Sequence, residues 1–241
     1  MKTAALLSLI LACAGTAPSR QVPPPPPGDP LRIVMLGNSL TYFNDMPAMV
    51  AELAMSGGAT RPEVVTVASP NWGLADHLGS TTSMAAITQH KVDVVTMQQG
   101  PSTLPESGLD LTRSGKLLAD KVIAAGGRPG MYVVWPPRGG NIDAGIANHT
   151  AAAEAAEMAI YPVAQAFRLL GSSHPEIALL GNDNFHPSAA GSWLAAMVIT
   201  AVIFDQDPLR YPNPRSGAFP AAWEDPIRQA AKDAVIQFGR R

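Results

Sequence analysis

Ile33-Val34-Met35-Leu36-Gly37-Asn38-Ser39-Leu40-Thr41 is the stretch on which the reading of this chain turns. Its four leading apolar residues suit a strand buried on both faces. The polar turn that interrupts them puts Ser39 at the strand's carboxyl edge, where open α/β sheets bind their ligands. A serine in that place is either a nucleophile or a helix cap, and the rest of the chain has to decide between the two.

Outward from that strand, apolar runs alternate with helical periodicity. Asn44-Asp45-Met46-Pro47 offers a cap and an N-terminal proline for a helix to about Met55, stopped by Gly57-Gly58. Val64 to Val67 reads as a second strand, and Ser69-Pro70-Asn71-Trp72-Gly73 as a loop into a short helix whose face carries Leu74, His77 and Leu78. Val92 to Met97 is the third strand, with a long exit loop from Gln98 to Gly108. Leu111, Leu118 and Val122 recur at helical spacing until Gly126-Gly127, and Met131 to Trp135 is the fourth strand. A loop from Pro136 to about Ile146 precedes an Ala-rich helix. Ile160 to Val163 is read as the last strand, because β-branched and aromatic residues replace the alanines and Pro162 would damage a helix interior.

Helices follow from about Ala164 to Leu170 and from Pro187 to Phe204, the second apolar on most faces and hence buried. Ile227, Ala231, Ala234 and Phe238 lay one stripe on a terminal helix. Strands and helices alternating in this way predict an α/β fold, a three-layer α/β/α sandwich around a five-stranded parallel sheet.

The 241 residues, 46% of them hydrophobic, suffice for one sizeable core. With 17 basic against 19 acidic residues and no Lys/Arg cluster interleaved with aromatics, nucleic acid is not an expected partner. Cys13 is the single cysteine, which excludes an internal disulfide framework and a cysteine-based zinc site. Lys2, the apolar Ala4 to Leu11 and the small Ala12, Ala14 and Gly15 have the layout of a secretory signal peptide, too short to span a bilayer. Ala12-Cys13-Ala14 fits ordinary signal peptidase and gives a leader of residues 1–14. Ile10-Leu11-Ala12-Cys13 resembles a bacterial lipobox and gives a leader of residues 1–12, with a membrane tether through lipidated Cys13. Both predict an exported protein: periplasmic, extracellular or lipid-anchored at the cell envelope. Residues 15–30, with Pro23 to Pro27, read as an extended Pro-rich linker, leaving 31–241 as the folded domain.

A serine hydroxyl is a weak nucleophile at neutral pH, so chemistry at Ser39 needs a histidine base oriented by a carboxylate. Asp183-Asn184-Phe185-His186-Pro187 brings both together just before a helix. The i to i+3 spacing lets Asp183 accept the Nδ1 proton of His186 and leaves Nε2 facing outward. His77, His90, His149 and His174 have no paired ligand spacing and are read as surface or core residues, His77 standing apart because it follows the Gly73 loop. The order Ser, Asp, His also occurs in α/β-hydrolases, but those carry Gly-x-Ser-x-Gly in mid-chain, whereas Thr41 stands two past this serine.

Gly37-Asn38-Ser39-Leu40-Thr41-Tyr42-Phe43-Asn44-Asp45-Met46-Pro47 resembles the first block of the SGNH (GDSL-type) hydrolase family, Gly-Asp/Asn-Ser-Leu. Asp183 through Gly191 resembles its last block, Asp-x-x-His, so the likeness spans about Leu31 to Pro208. The resemblance implies a flavodoxin-like sandwich with Ser39 as nucleophile, His186 as general base, Asp183 as its orienting partner, and no metal or organic cofactor. It also implies an oxyanion hole built from the backbone N–H of Ser39, the N–H of a second-block glycine best matched by Gly73, and a third-block asparagine. There the chain departs: Gly100-Pro101-Ser102-Thr103 stands where the family has Gly-x-Asn-Asp, so the third donor falls to Gln98, Gln99 or Ser102.

The function so implied is an exported serine esterase acting through an acyl-enzyme on a small-molecule or carbohydrate ester, O-acetyl groups included. The alternative, raised by the missing asparagine, is a secreted or surface binding module on the same scaffold without turnover. Tyr42, Phe43, Trp72 and Trp135, at or just past strand ends, either line a substrate pocket or pack in the core.

Overall fold

The computed structural model describes residues 29–212 and 217–239. The leader and lipobox readings, and the linker up to residue 28, lie outside the described residues. β1 (Arg32–Gly37) holds the apolar run, with Ile33 to Leu36 buried. It passes into the one-turn helix α1 (Ser39–Tyr42), a 3-10 turn over Phe43–Asp45, and α2 (Met46–Ser56). Then come β2 (Glu63–Ala68), α3 (Leu74–Gly79), α4 (Thr81–Thr88), β3 (Val94–Met97), α5 (Pro105–Ala124), β4 (Arg128–Tyr132) and α6 (Ile142–Ala155). The chain closes with β5 (Ala159–Tyr161), α7 (Val163–Ser173), α8 (Ala189–Phe204) and α9 (Glu224–Phe238).

The strands pair in parallel in the order β2-β1-β3-β4-β5, the expected five-stranded sheet. α2, α7, α8 and α9 pack on one another in one layer, and α3 to α6 in the other. Strand order reverses between β1 and β3, so a crevice opens at their carboxyl ends. Ser39 stands on its β1 side, Gln98 and Gln99 on its β3 side.

Several boundaries differ from the sequence reading. β4 starts at Arg128 because Pro129 and Gly130 join the ladder opposite Val95 and Thr96. Gly130 is required there, since a Cβ would lie 2.4 Å from the Tyr161 ring. Val133 to Trp135 stay buried but run past the last paired residue of β4. The exit loop after β3 ends early, with Pro105 beginning α5. β5 starts one residue earlier, at Ala159, and ends two residues earlier, at Tyr161, and Pro162 serves as the N-cap of α7. α4 falls where no helix was expected and is started by Ser80, whose side chain accepts the Ser83 N–H at 3.2 Å. α8 begins at Ala189, because Ser188 Oγ caps it by accepting the Gly191 N–H at 3.1 Å. Ala190 to Ile203 are all buried, as a helix apolar on every face requires. Gly191 lets α8 approach its neighbour, for a Cβ there would sit 2.2 Å from the Leu179 carbonyl oxygen.

His149, on α6, is a core residue. Its Nδ1–H donates to the Gly145 carbonyl at 2.8 Å, and its Nε2 has no partner among the described residues. Burial pushes its pKa down to about 4. The unfolded chain therefore takes up a proton that the folded one refuses, and stability falls as pH drops from about 6.5, the ordinary imidazole value, to the folded value. The linked loss is on the order of 3 kcal/mol. Urea unfolding at pH 7 and pH 4 is expected to show this loss in the wild type and a smaller one in His149→Leu. An equal acid loss in both would remove His149 as the cause.

Candidate active site

Ser39 opens α1, and a small network fixes the turn that presents it. Asn38 Oδ1 accepts the Leu40 N–H at 3.1 Å and an N–H of Gln98 Nε2 at 2.8 Å, while Asn38 Nδ2 donates to the Trp72 carbonyl at 3.0 Å. Gln98 Nε2 also donates to Thr41 Oγ1 at 3.0 Å. Gly37 has no room for a side chain: a Cβ would lie 2.2 Å from Thr41 Oγ1 and 2.6 Å from Gln98 Nε2. From below, His77 Nε2–H donates to the Gly37 carbonyl at 3.0 Å, which leaves Nδ1 to accept from Ser83 Oγ at 2.9 Å. His77 is buried, and desolvation lowers its pKa, favouring this neutral tautomer against the opposing pull of the Gly37 carbonyl. Trp72 meets the ring edge-on at 5.1 Å. His77 is thus a structural support of the Ser39 turn.

Across the crevice, His186 Nε2 lies 2.9 Å from Ser39 Oγ, and its Nδ1 donates to Asp183 Oδ2 at 2.5 Å. Asp183 Oδ1 accepts the backbone N–H groups of Phe185 at 3.0 Å and His186 at 2.9 Å, so both oxygens are occupied. The hydrogen bond from the His186 side chain, followed by that from the Phe185 amide, holds the Asp183 carboxyl below the usual carboxylate range. The three residues predicted to act together are brought together.

Two further residues hold the halves in register, and sequence reasoning missed both roles. Asn44, read as a helix cap, instead sends Nδ2 to the Pro187 carbonyl and to Ser192 Oγ, both at 2.9 Å. Asn44 and the following Asp45 adopt left-handed backbone, φ 53° and 56°, a conformation that Asn and Asp tolerate better than most residues. The available signal was that tolerance in an Asn-Asp pair one residue past the helix that Ser39 opens. Arg138 donates its backbone N–H to the Asn184 carbonyl at 2.9 Å and its Nε–H to Asn184 Oδ1 at 2.7 Å, bracing the Asp183–His186 turn.

The aromatic side chains divide between these tasks. Phe43 stacks on the His186 ring at 4.3 Å. Trp135 is core: it stacks on Phe167 at 3.9 Å and donates Nε1–H to the Phe185 carbonyl at 3.0 Å. Tyr42 is exposed beside the serine.

A protein from Slackia heliotrinireducens assigned as an SGNH hydrolase is 32% identical to this chain, superimposes with a TM-score of 0.62, and is matched over 71% of this chain and 98% of its own. The chain belongs to the SGNH hydrolase family. A DUF4886-family protein from Bacteroides uniformis shares the fold at 15% identity with a TM-score of 0.71, over 87% of this chain and 96% of that one. A lipase/acylhydrolase from Enterococcus faecalis does so at 14% identity with a TM-score of 0.56, over 77% and 100%. No protein-family model and no curated protein matches the chain.

In this SGNH hydrolase the oxyanion site differs from the expectation. The Ser39 N–H has no acceptor among the described residues and is free to donate. The Gly73 N–H is taken by Asp76 Oδ2 at 2.8 Å, closing the cap of α3. Gln98 is fully buried with its amide N–H groups committed to Asn38 and Thr41, and Ser102 Oγ donates to the Gly100 carbonyl at 3.0 Å while accepting from Gln99 Nε2 at 3.2 Å. Gln99 Oε1 accepts the Leu74 N–H at 3.2 Å. The donor groups of Gln98, Gln99 and Ser102 are thus all taken by protein acceptors in this structure, as buried amides and hydroxyls are claimed by the nearest polar partners. Among the described residues no helix is long and apolar enough to cross a membrane, and no group of three or more His, Cys, Asp and Glu side chains is placed to hold a metal ion.

Proposed function

We propose that this SGNH hydrolase is a serine esterase that works through an acyl-enzyme. The observation that carries the reading is the continuous hydrogen-bonded line from Ser39 Oγ through His186 to Asp183. With Nδ1–H held by Asp183, the His186 Nε2 lone pair faces the hydroxyl and takes its proton as Oγ attacks the ester carbonyl. The Ser39 N–H meets the developing oxyanion, and Asp183 stabilises the imidazolium. His186 then delivers the proton to the departing alcohol, leaving the acyl group on Ser39. Water repeats the sequence to release the acid and restore the serine.

Asn44, Asp45 and Asn184 are exposed on the two segments that bear the part-buried Ser39 and His186, and with the exposed Tyr42 they give the approach a largely polar rim. Such a rim suits short acyl groups on small molecules or carbohydrates, acetyl above all. We also infer export from the leader-like N-terminus, with intact mass of the mature form deciding between free secretion and a lipid on Cys13.

The Gly73 amide held by Asp76 supports a second reading, a binding module without turnover. Incubation with a fluorophosphonate probe and a short-chain nitrophenyl ester separates the two. The esterase is expected to be labelled on Ser39 and to release nitrophenol. Wild type that neither labels nor hydrolyses would sink the esterase reading.

A further inference from the structure

A cavity of about 410 Å³ opens beside the Asp183–His186 turn, between the loop after β4 and the segment that precedes the turn. Its size is that of a small-ligand site. Trp135, Phe167, Ile142 and Leu179 give it apolar walls, and Arg138 and Glu176 are its charged lining residues. Arg138 is exposed, and its Nε–H donates to Asn184 Oδ1 at 2.7 Å, which orients the guanidinium. Its two terminal nitrogens have no carboxylate or other hydrogen-bond partner among the described residues. Arg32, Arg168 and Arg228 each lie against a carboxylate, whereas Arg138, like Arg61, Arg113, Arg128 and Arg210, has none within ion-pair distance among the described residues. A guanidinium anchored through Nε presents its outer pair of N–H groups in the fork that matches a carboxylate. Glu176, turned toward His174 Nδ1 at 3.0 Å, adds one negative charge to the lining, so a ligand with a single negative charge suits the cavity better than a dianion.

We propose that this cavity is a recognition subsite for a carboxylate carried by the ester substrate remote from the bond that is cut, with Arg138 as its counter-ion. The proposal rests on the esterase reading and narrows its substrate class to monoanionic esters with an apolar body. Asn184, which positions Arg138, belongs to the turn that bears His186, so the anchor of the guanidinium and the proposed base share one turn.

The test compares 4-acetoxybenzoate with its neutral methyl ester, and 4-nitrophenyl glutarate with its methyl ester, so that the charge lies on the alcohol side in one pair and on the acyl side in the other. Each kcat/KM is normalised to the ester's rate with hydroxide. The wild type is expected to favour the anionic member of at least one pair by on the order of tenfold, Arg138→Gln to erase that preference, and Arg138→Lys to retain part of it. The ratio is the readout, because damage to the turn slows both members alike.

Equal slowing of both members in Arg138→Gln would overturn the subsite, leaving Arg138 as a brace of the turn. So would a preference for the neutral ester. An effect of free benzoate on neutral-ester turnover without any preference for the attached carboxylate would also overturn it, in favour of a free carboxylate effector. Calorimetry of 4-acetamidobenzoate with Ser39→Ala reads the subsite without turnover: about tenfold weaker binding in the added Arg138→Gln variant is expected, and unchanged binding refutes the proposal. An inactive wild type that still shows Arg138-dependent binding would fail the esterase reading alone.

Discussion

Ser39→Ala is expected to lower kcat toward a short ester by about 10⁶-fold while leaving the melting temperature unchanged. Stability is spared because the hydroxyl's partner among the described residues is His186, while the cap of α1 comes from Asn38. His186→Ala is expected to fall to nearly the same floor, and the double variant no further. A base without a nucleophile, or a nucleophile without a base, has nothing left to lose. The floor stays above the uncatalysed rate, by about 10³-fold where binding and an oxyanion donor survive, and alanine keeps the backbone N–H at position 39. Steady-state rates of the two single variants and the double variant check this. Losses that multiply would show that Ser39 and His186 do not act as one unit.

Asp183→Asn is expected to cost about 10³- to 10⁴-fold in kcat with the fold retained. The amide oxygen of asparagine can replace Oδ1 in accepting the Phe185 and His186 N–H groups, so the turn survives. The amide NH₂ then faces His186 Nδ1, where Oδ2 stood. Two donors cannot share that bond, so the ring proton shifts to Nε2 and points at Ser39, and the base becomes a donor. The sequence of events predicts a loss in kcat rather than in KM, with an NMR signature of the Nε2-protonated tautomer. A variant that keeps wild-type kcat would mean that Asp183 does not set the tautomer.

The sequence disclosed the sheet where burial leaves a plain mark. Ile33 to Leu36 had to be a central strand because nothing polar interrupts them, and the stripe of α9 had to face the domain. β4 was harder, since Arg128-Pro129-Gly130 carries the composition of a turn. Only the Tyr161 ring over Gly130 explains why a glycine belongs in that ladder. The trio Ser39, Asp183 and His186 was legible because the chemistry asked of it demands a serine at a strand's carboxyl edge and an Asp-x-x-His at one short spacing, even though 147 residues separate the serine from the histidine. The oxyanion wall was not, because the fate of Gln98 depends on Asn38 and Thr41, which stand 60 and 57 residues away. Asn44 was misread for the same reason: its partners Pro187 and Ser192 are tertiary, and local pattern offered a cap instead.

The bond from Asn44 to Pro187, just before α8, spans 143 residues of chain. A growing polypeptide that has emerged only through β5 holds a serine but no histidine to meet it. In refolding, the proposed turnover can therefore return only once the segment that carries His186 has docked beside Ser39, so that turnover becomes a clock for that one step.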